Sequence, residues 1–128
     1  MPARTLIVVY AKDIERVAVF YSRGLTRPIV EQEPGFVIVG DTEMEVAVVR
    51  MAGSLAKETE IAVPPRVREE TPLKPSFLVA DLKITREAVL AAGGGAKPLS
   101  AAWSWRGEIH LDAYDPEGNR VQLRAHQV

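Results

Sequence analysis

The chain has 128 residues, 16 Lys and Arg against 17 Asp and Glu, and no cysteine. That length suits one domain, or two small repeats sharing a core. The net charge of −1 provides no footprint for nucleic acid or an anionic membrane surface, and the lack of Cys excludes a disulfide scaffold, thiolate zinc sites and a cysteine nucleophile.

Thr5–Tyr10 is β-branched and aromatic with apolar residues on both faces, as in a central strand. It is too short and too soon followed by Lys12 and Asp13 to be a signal peptide. No stretch approaches the ~20 apolar residues of a membrane helix. A cytoplasmic protein with no nucleic-acid or membrane partner is therefore expected. Asp13 caps a predicted helix whose Ile14, Val17, Ala18 and Tyr21 recur at helical spacing, and Gly24 ends it. Strands are predicted at Pro28–Gln32, Phe36–Val39 and Met44–Arg50, separated by Glu33-Pro34-Gly35 and Gly40-Asp41. Residues 51–72 then lose all periodicity, and a segment of that length is either disordered or a lid.

The second half repeats the first. Ser76–Val79 reads as a strand and Asp81 as a cap, and Leu82, Ala88, Val89 and Leu90 lie along a helix stopped by Gly93-Gly94-Gly95. Strands follow at Lys97–Ala102, Glu108–Tyr114 and Arg120–Ala125, the last two joined by Asp115-Pro116-Glu117-Gly118-Asn119. Moving Asp13 onto Asp81, a shift of 68 residues, lays strand on strand and helix on helix. The predicted fold is α+β: two βαβββ repeats forming a curved eight-stranded mixed sheet, a pair of half-barrels with the helices on the convex side. The modules span 1–50 and 73–128, with 51–72 as linker.

Alternation puts Ile109, Leu111 and Ala113 under the helices with Val121 and Leu123, and turns Glu108, His110, Asp112, Tyr114, Arg120, Gln122, Arg124 and His126 the other way. A symmetric turn sets Asp112 opposite Gln122 and His110 opposite Arg124. If the sheet curves, this polar face becomes a groove, joined by Leu6, Val8, Tyr10, Glu45, Ala47, Val49, Lys74, Ser76 and Leu78. Trp103 and Trp105 share a parity and suit a wall for flat compounds. The glycine triplet follows a helix instead of opening one, so it is a stop and no phosphate loop.

Three stretches resemble the vicinal oxygen chelate superfamily, which includes glyoxalase I, bleomycin-resistance proteins and extradiol dioxygenases such as those acting on dihydroxybiphenyl. They are Asp13-Ile14-Glu15 through Phe20-Tyr21, Phe77-Leu78-Val79-Ala80-Asp81-Leu82, and Asp115-Pro116-Glu117-Gly118-Asn119-Arg120-Val121-Gln122-Leu123. The resemblance implies a divalent metal held by four side chains in members that are enzymes. It maps those positions onto Leu6, Lys74, Gln122 and either Glu45 or Ala47. Leu has no donor atom, a Lys amine ligates only when deprotonated, and Gln is a weak ligand. No metal and no cofactor are therefore expected. Glu45 across the cavity is the expected partner of Lys74.

The function expected is metal-free binding of a small organic ligand, anionic or flat and aromatic, in the concave cleft, by analogy with bleomycin-resistance proteins. Candidate ligand-binding residues are Tyr10, Glu45, Lys74, Trp103, Trp105, His110, Gln122 and Arg124, with Lys74 and Arg124 receiving an anionic group. The alternative is an enzyme of the same superfamily, a lyase, isomerase or dioxygenase. It would use a metal relocated to Glu108, His110 or Asp112, or Lys74 or His110 as acid or base. The resemblance also implies a homodimer.

Overall fold

The computed structural model describes residues 3–127. The first half runs β1 (Thr5–Ala11), α1 (Ile14–Val19), a π-helical turn (Phe20–Gly24), β2 (Ile29–Glu33), β3 (Phe36–Gly40) and β4 (Met44–Arg50). A short helix α2 (Gly53–Glu58) follows. The second half is β5 (Ser76–Leu78), α3 (Leu82–Ala91), β6 (Gly95–Ala96), a 3₁₀ turn (Leu99–Ala101), β7 (Trp103–Trp105), β8 (Glu108–Tyr114) and β9 (Arg120–His126).

Both halves have one topology. The first sheet has the order β1-β4-β3-β2 with β1 parallel to β4; the second has β5-β9-β8-β6 with β5 parallel to β9 and β7 also on β8. The α+β class and the paired βαβββ repeats are as expected, but the strands form two sheets of four and five instead of one of eight, and no barrel closes. The extra strand comes from the predicted strand Lys97–Ala102, which does not form. Pro98 lacks a donor and leads into the 3₁₀ turn, so Gly95–Ala96 and Trp103–Trp105 pair with β8 on either side of it. Gly95 is required there, because a Cβ would overlap the Tyr114 ring.

Asp13 and Asp81 cap α1 and α3, each accepting the N–H three residues on, from Arg16 and Ile84. The helices cover the sheets with Val17, Phe20, Tyr21 and Val89, which meet Val46, Val48, Leu111 and Leu123 in a single core. Leu111 pairs with Leu123 and Ala113 with Val121, as alternation requires. Leu90, expected on the buried stripe, is exposed, and Thr85 takes the buried position. Among the described residues no helix is long and apolar enough to cross a membrane.

The halves are fastened by the Asp115–Asn119 turn. Glu117, fully within the protein, reaches across to the start of α1, where its two carboxylate oxygens accept the backbone N–H groups of Lys12 (2.9 Å) and Asp13 (2.8 Å). Asp115 shapes the turn from inside, accepting from the backbone N–H of Glu117 and Asn119, the Asn119 amide and the Tyr21 hydroxyl at 2.8 Å. Burial first, and the neighbouring Asp115 carboxylate second, push the Tyr21 phenol well above its usual range. Gly118 has φ +87°, and a Cβ would land on the Arg66 carbonyl oxygen, so residues 66–68 lie directly over the turn. The Arg68 N–H donates to the Gly118 carbonyl at 2.9 Å.

Candidate functional site

The free edge of β1 and the approach to β5 border a cleft of about 420 Å³ between the two sheets. Its floor is apolar, from Val8, Tyr10, Met51, Leu55, Leu73 and Pro75. Its polar groups are Arg68, Arg120, Asn119, Thr59, Thr71 and the end of Tyr21. The segment 51–72 thus supplies part of the wall: α2 carries Leu55, and Lys12 Nζ donates to the Thr59 carbonyl at 2.7 Å. Arg120 is held by Asp112 (3.0 Å) and Glu69 (3.3 Å), whereas the exposed Arg68 guanidinium forms no ion pair among the described residues. A volume of this size and a mainly apolar lining with a few placed cations are the usual features of a small-molecule site.

Of the eight candidate residues, Tyr10, 60% exposed, lines this cleft. Six others, Lys74, Trp103, Trp105, His110, Gln122 and Arg124, gather on the face of the second sheet turned away from the helices. The predicted pairs are in register, Asp112 with Gln122 and His110 with Arg124. Lys74, however, is bound to Asp112 at 2.8 Å and not to Glu45. Alternation identifies the face a residue occupies but not which neighbour along it is nearest. Glu45 sits in the other sheet, beside Leu6 in the β1–β4 register. Arg124 binds Glu108 at 2.7 Å and the Ser76 hydroxyl at 3.1 Å, so both cations expected to receive an anion already have carboxylate partners.

His110 is 1% exposed with both ring nitrogens engaged. Nε2 lies 3.0 Å from the Trp105 carbonyl oxygen and Nδ1 lies 3.0 Å from Gln122 Oε1, which also accepts from the Ser76 hydroxyl at 2.7 Å. Trp103 stacks on the His110 ring at 5.5 Å and 17°, with Lys74 Nζ 5.5 Å from its centroid; Trp105 lies at 5.7 Å, tilted by 54°. The two tryptophans therefore form a wall, but its inner side is filled by His110. Arg120 joins this network to the cleft through Asp112.

The superfamily's metal positions do not fit a divalent ion in this chain. Leu6 offers carbon, Lys74 an ammonium paired with Asp112, and Gln122 an amide already bound on that side chain's polar end. The relocated set fits no better: Glu108 and Asp112 hold arginine and lysine, and His110 has no free nitrogen. Among the described residues no group of three His, Asp or Glu is placed to hold an ion.

The cleft-lining Met51, Leu55 and Arg68 escape sequence reasoning because they lie in the stretch without periodicity, and Leu73 directly follows it. Alternation places Arg120 on the polar face with Gln122 and Arg124, but it is not among the eight candidates. The Glu117 clamp carried one signal, a carboxylate in a tight turn, with nothing to show what it meets.

The sequence profile of the glyoxalase-like domain matches residues 6–124. Solved structures share the fold at low identity. A glyoxalase/bleomycin resistance protein/dioxygenase family enzyme from Burkholderia phytofirmans superposes with a TM-score of 0.70 at 15% identity, covering 95% of this chain and 97% of its own. A glyoxalase-related enzyme from Fulvimarina pelagi gives 0.68 at 18%, covering 98% and 89%. The fosfomycin resistance protein FosX from Listeria monocytogenes gives 0.66 at 13%, covering 100% and 96%. No curated protein matches the chain.

Proposed function

The chain belongs to the glyoxalase-like family of the vicinal oxygen chelate superfamily, and on that premise we propose that it binds a small organic anion in the cleft between its sheets without a metal. The observation that carries this reading is the occupation of three of the four superfamily ligand positions, Leu6, Lys74 and Gln122, by groups that cannot ligate or are already bound, beside an apolar cleft edged by Arg68 and Arg120. The ligand has a flat apolar body, suited to Val8, Tyr10, Leu55 and Leu73, and one negative group within reach of Arg68. Its strength would come from burial of the apolar body, at about 25 cal/mol per Å², and its orientation from the cation. Two copies pairing through the exposed Leu6, Val8 and Tyr10 run would narrow the cleft further.

Thermal unfolding of the purified chain in the presence of a chelator, against a panel of aromatic carboxylates and sulfonates, tests the reading. At least one compound is expected to raise the midpoint, and Arg68→Glu to abolish that rise. Stoichiometric uptake of Zn²⁺, Mn²⁺ or Fe²⁺, measured by mass spectrometry and lost in His110→Ala, would overturn it in favour of a relocated catalytic metal.

A further inference from the structure

The internal repeat shows what the start of each module's helix is shaped to receive. Under the 68-residue shift Lys12 and Asp13 superimpose on Ala80 and Asp81. The first pair donates both backbone N–H groups to the Glu117 carboxylate. The second pair donates to nothing among the described residues, although Asp81 caps α3 just as Asp13 caps α1. The difference lies in the facing turns. Five residues, Asp115 to Asn119, join β8 to β9, whereas only Asp41, Thr42 and Glu43 join β3 to β4. No carboxylate of the shorter turn bonds to the start of α3; Asp41, although close by, accepts the N–H groups of Glu43 and Met44 in its own turn.

A cavity of about 440 Å³ remains there, lined by Thr26, Arg27, Asp41, Ala80, Asp81 and Thr85 among others, and it shares no residue with the cleft between the sheets. Thr85 adds a nearly buried hydroxyl to the lining of this cavity. It is 7% exposed; among the described residues its hydroxyl enters no hydrogen bond, yet no side-chain polar atom that is sealed from solvent lacks a partner. The Thr85 hydroxyl is therefore open to solvent and unpartnered, and the residue lines this cavity. Arg27 adds a cation with a weak hold elsewhere: its nearest carboxylate, Asp41, is 3.6 Å away, and its guanidinium lies 5.5 Å from the Phe77 ring centroid.

We propose that the start of α3, with Thr85 and Arg27, is a second binding site that takes the carboxylate of a small molecule in the way the start of α1 takes Glu117. The two free N–H groups receive the two oxygens, the Thr85 hydroxyl donates to one of them, and Arg27 exchanges its distant contact with Asp41 for the ligand. The nearby Asp41 and Asp81 carboxylates oppose a second negative charge, so a monocarboxylate is preferred over a dicarboxylate.

Amide NMR of the full chain at pH 7, titrated with sodium acetate, then sodium succinate, with sodium chloride as control, tests this. Acetate is expected to shift the Ala80 and Asp81 signals downfield and saturably, while those of Lys12 and Asp13, already bonded to Glu117, stay in place. Thr85→Val is expected to weaken acetate by about fivefold, the equivalent of one hydrogen bond, and Thr85→Ser to restore it. Equal shifts with chloride would overturn the proposal, leaving an adventitious ion only. So would a non-saturating acetate response, or an affinity indifferent to both Thr85 variants.

Discussion

Glu117 holds the two halves of the molecule together with two short charge-assisted hydrogen bonds, from the Lys12 and Asp13 N–H groups. It is buried, and so is the turn that carries it. Hydrogen bonds to a charged group contribute about 1.5–3 kcal/mol each, and a truncated acceptor leaves its donors behind. Because Lys12 and Asp13 sit at the surface, their freed N–H groups regain water, which brings Glu117→Ala to a loss of about 2–4 kcal/mol. Glu117→Gln retains one acceptor and turns an amide N–H toward the second donor, for about 1–3 kcal/mol. For a chain of this length a loss of 3 kcal/mol corresponds to a fall in midpoint of about 10 °C. Urea unfolding followed by tryptophan fluorescence and by far-ultraviolet dichroism measures both variants. Two further outcomes are informative: a split of one transition into two in Glu117→Ala is consistent with the clamp joining the halves, whereas a loss below about 1 kcal/mol for both variants would refute the reasoning.

Three further predictions use other parts of the structure. The Tyr21 phenol is raised by burial and by Asp115, so the unfolded chain loses that proton first; stability from this group is intact below about pH 10 and falls as pH rises above it. Tyr21→Phe is therefore expected to be less stable at pH 7 by about 1–2 kcal/mol for the lost bond to Asp115, with a shallower decline above pH 10; a decline as steep as in the parent would contradict the assignment. Asp41 is held below its usual range chiefly by the Met44 N–H and then the Glu43 N–H, so its contribution is present above about pH 4 and lost as pH falls further, and Asp41→Asn is expected to flatten the acid limb of the stability curve. Gly118→Ala forces a Cβ onto the Arg66 carbonyl at a positive φ, a strain of about 1–3 kcal/mol or a displaced strap; faster proteolysis within residues 51–72 is the expected readout, and an unchanged cleavage rate with unchanged stability would contradict it.

The repeat was legible because it rests on short-range chemistry written twice: a capping Asp, a helical stripe and alternating strands. The same alternation suffices for the pairs Asp112–Gln122 and His110–Arg124, since register follows once the turn between β8 and β9 is placed. It does not extend to contacts between non-adjacent positions. Lys74 lies before β5, next to β9, and the choice between Glu45 and Asp112 depends on how far apart the two sheets stand. The break at Pro98 was visible as a proline, but its consequence depends on Gly95 meeting Tyr114, a contact between distant parts of the chain. The wall made by residues 51–72 rests on single side chains, Leu55 and Arg68, set against surfaces the segment itself does not encode.

Metal-free binding in the cleft is tested most directly with 8-anilinonaphthalene-1-sulfonate, a flat apolar body with one negative group. The native chain is titrated in excess chelator, with fluorescence and calorimetry as readouts. Saturable binding of one molecule per chain is predicted, weakened about tenfold or more by Val8→Trp, which fills the cleft from an exposed position, and by Arg68→Glu. Binding that appears only when Zn²⁺ is supplied, or that ignores both substitutions, would contradict it.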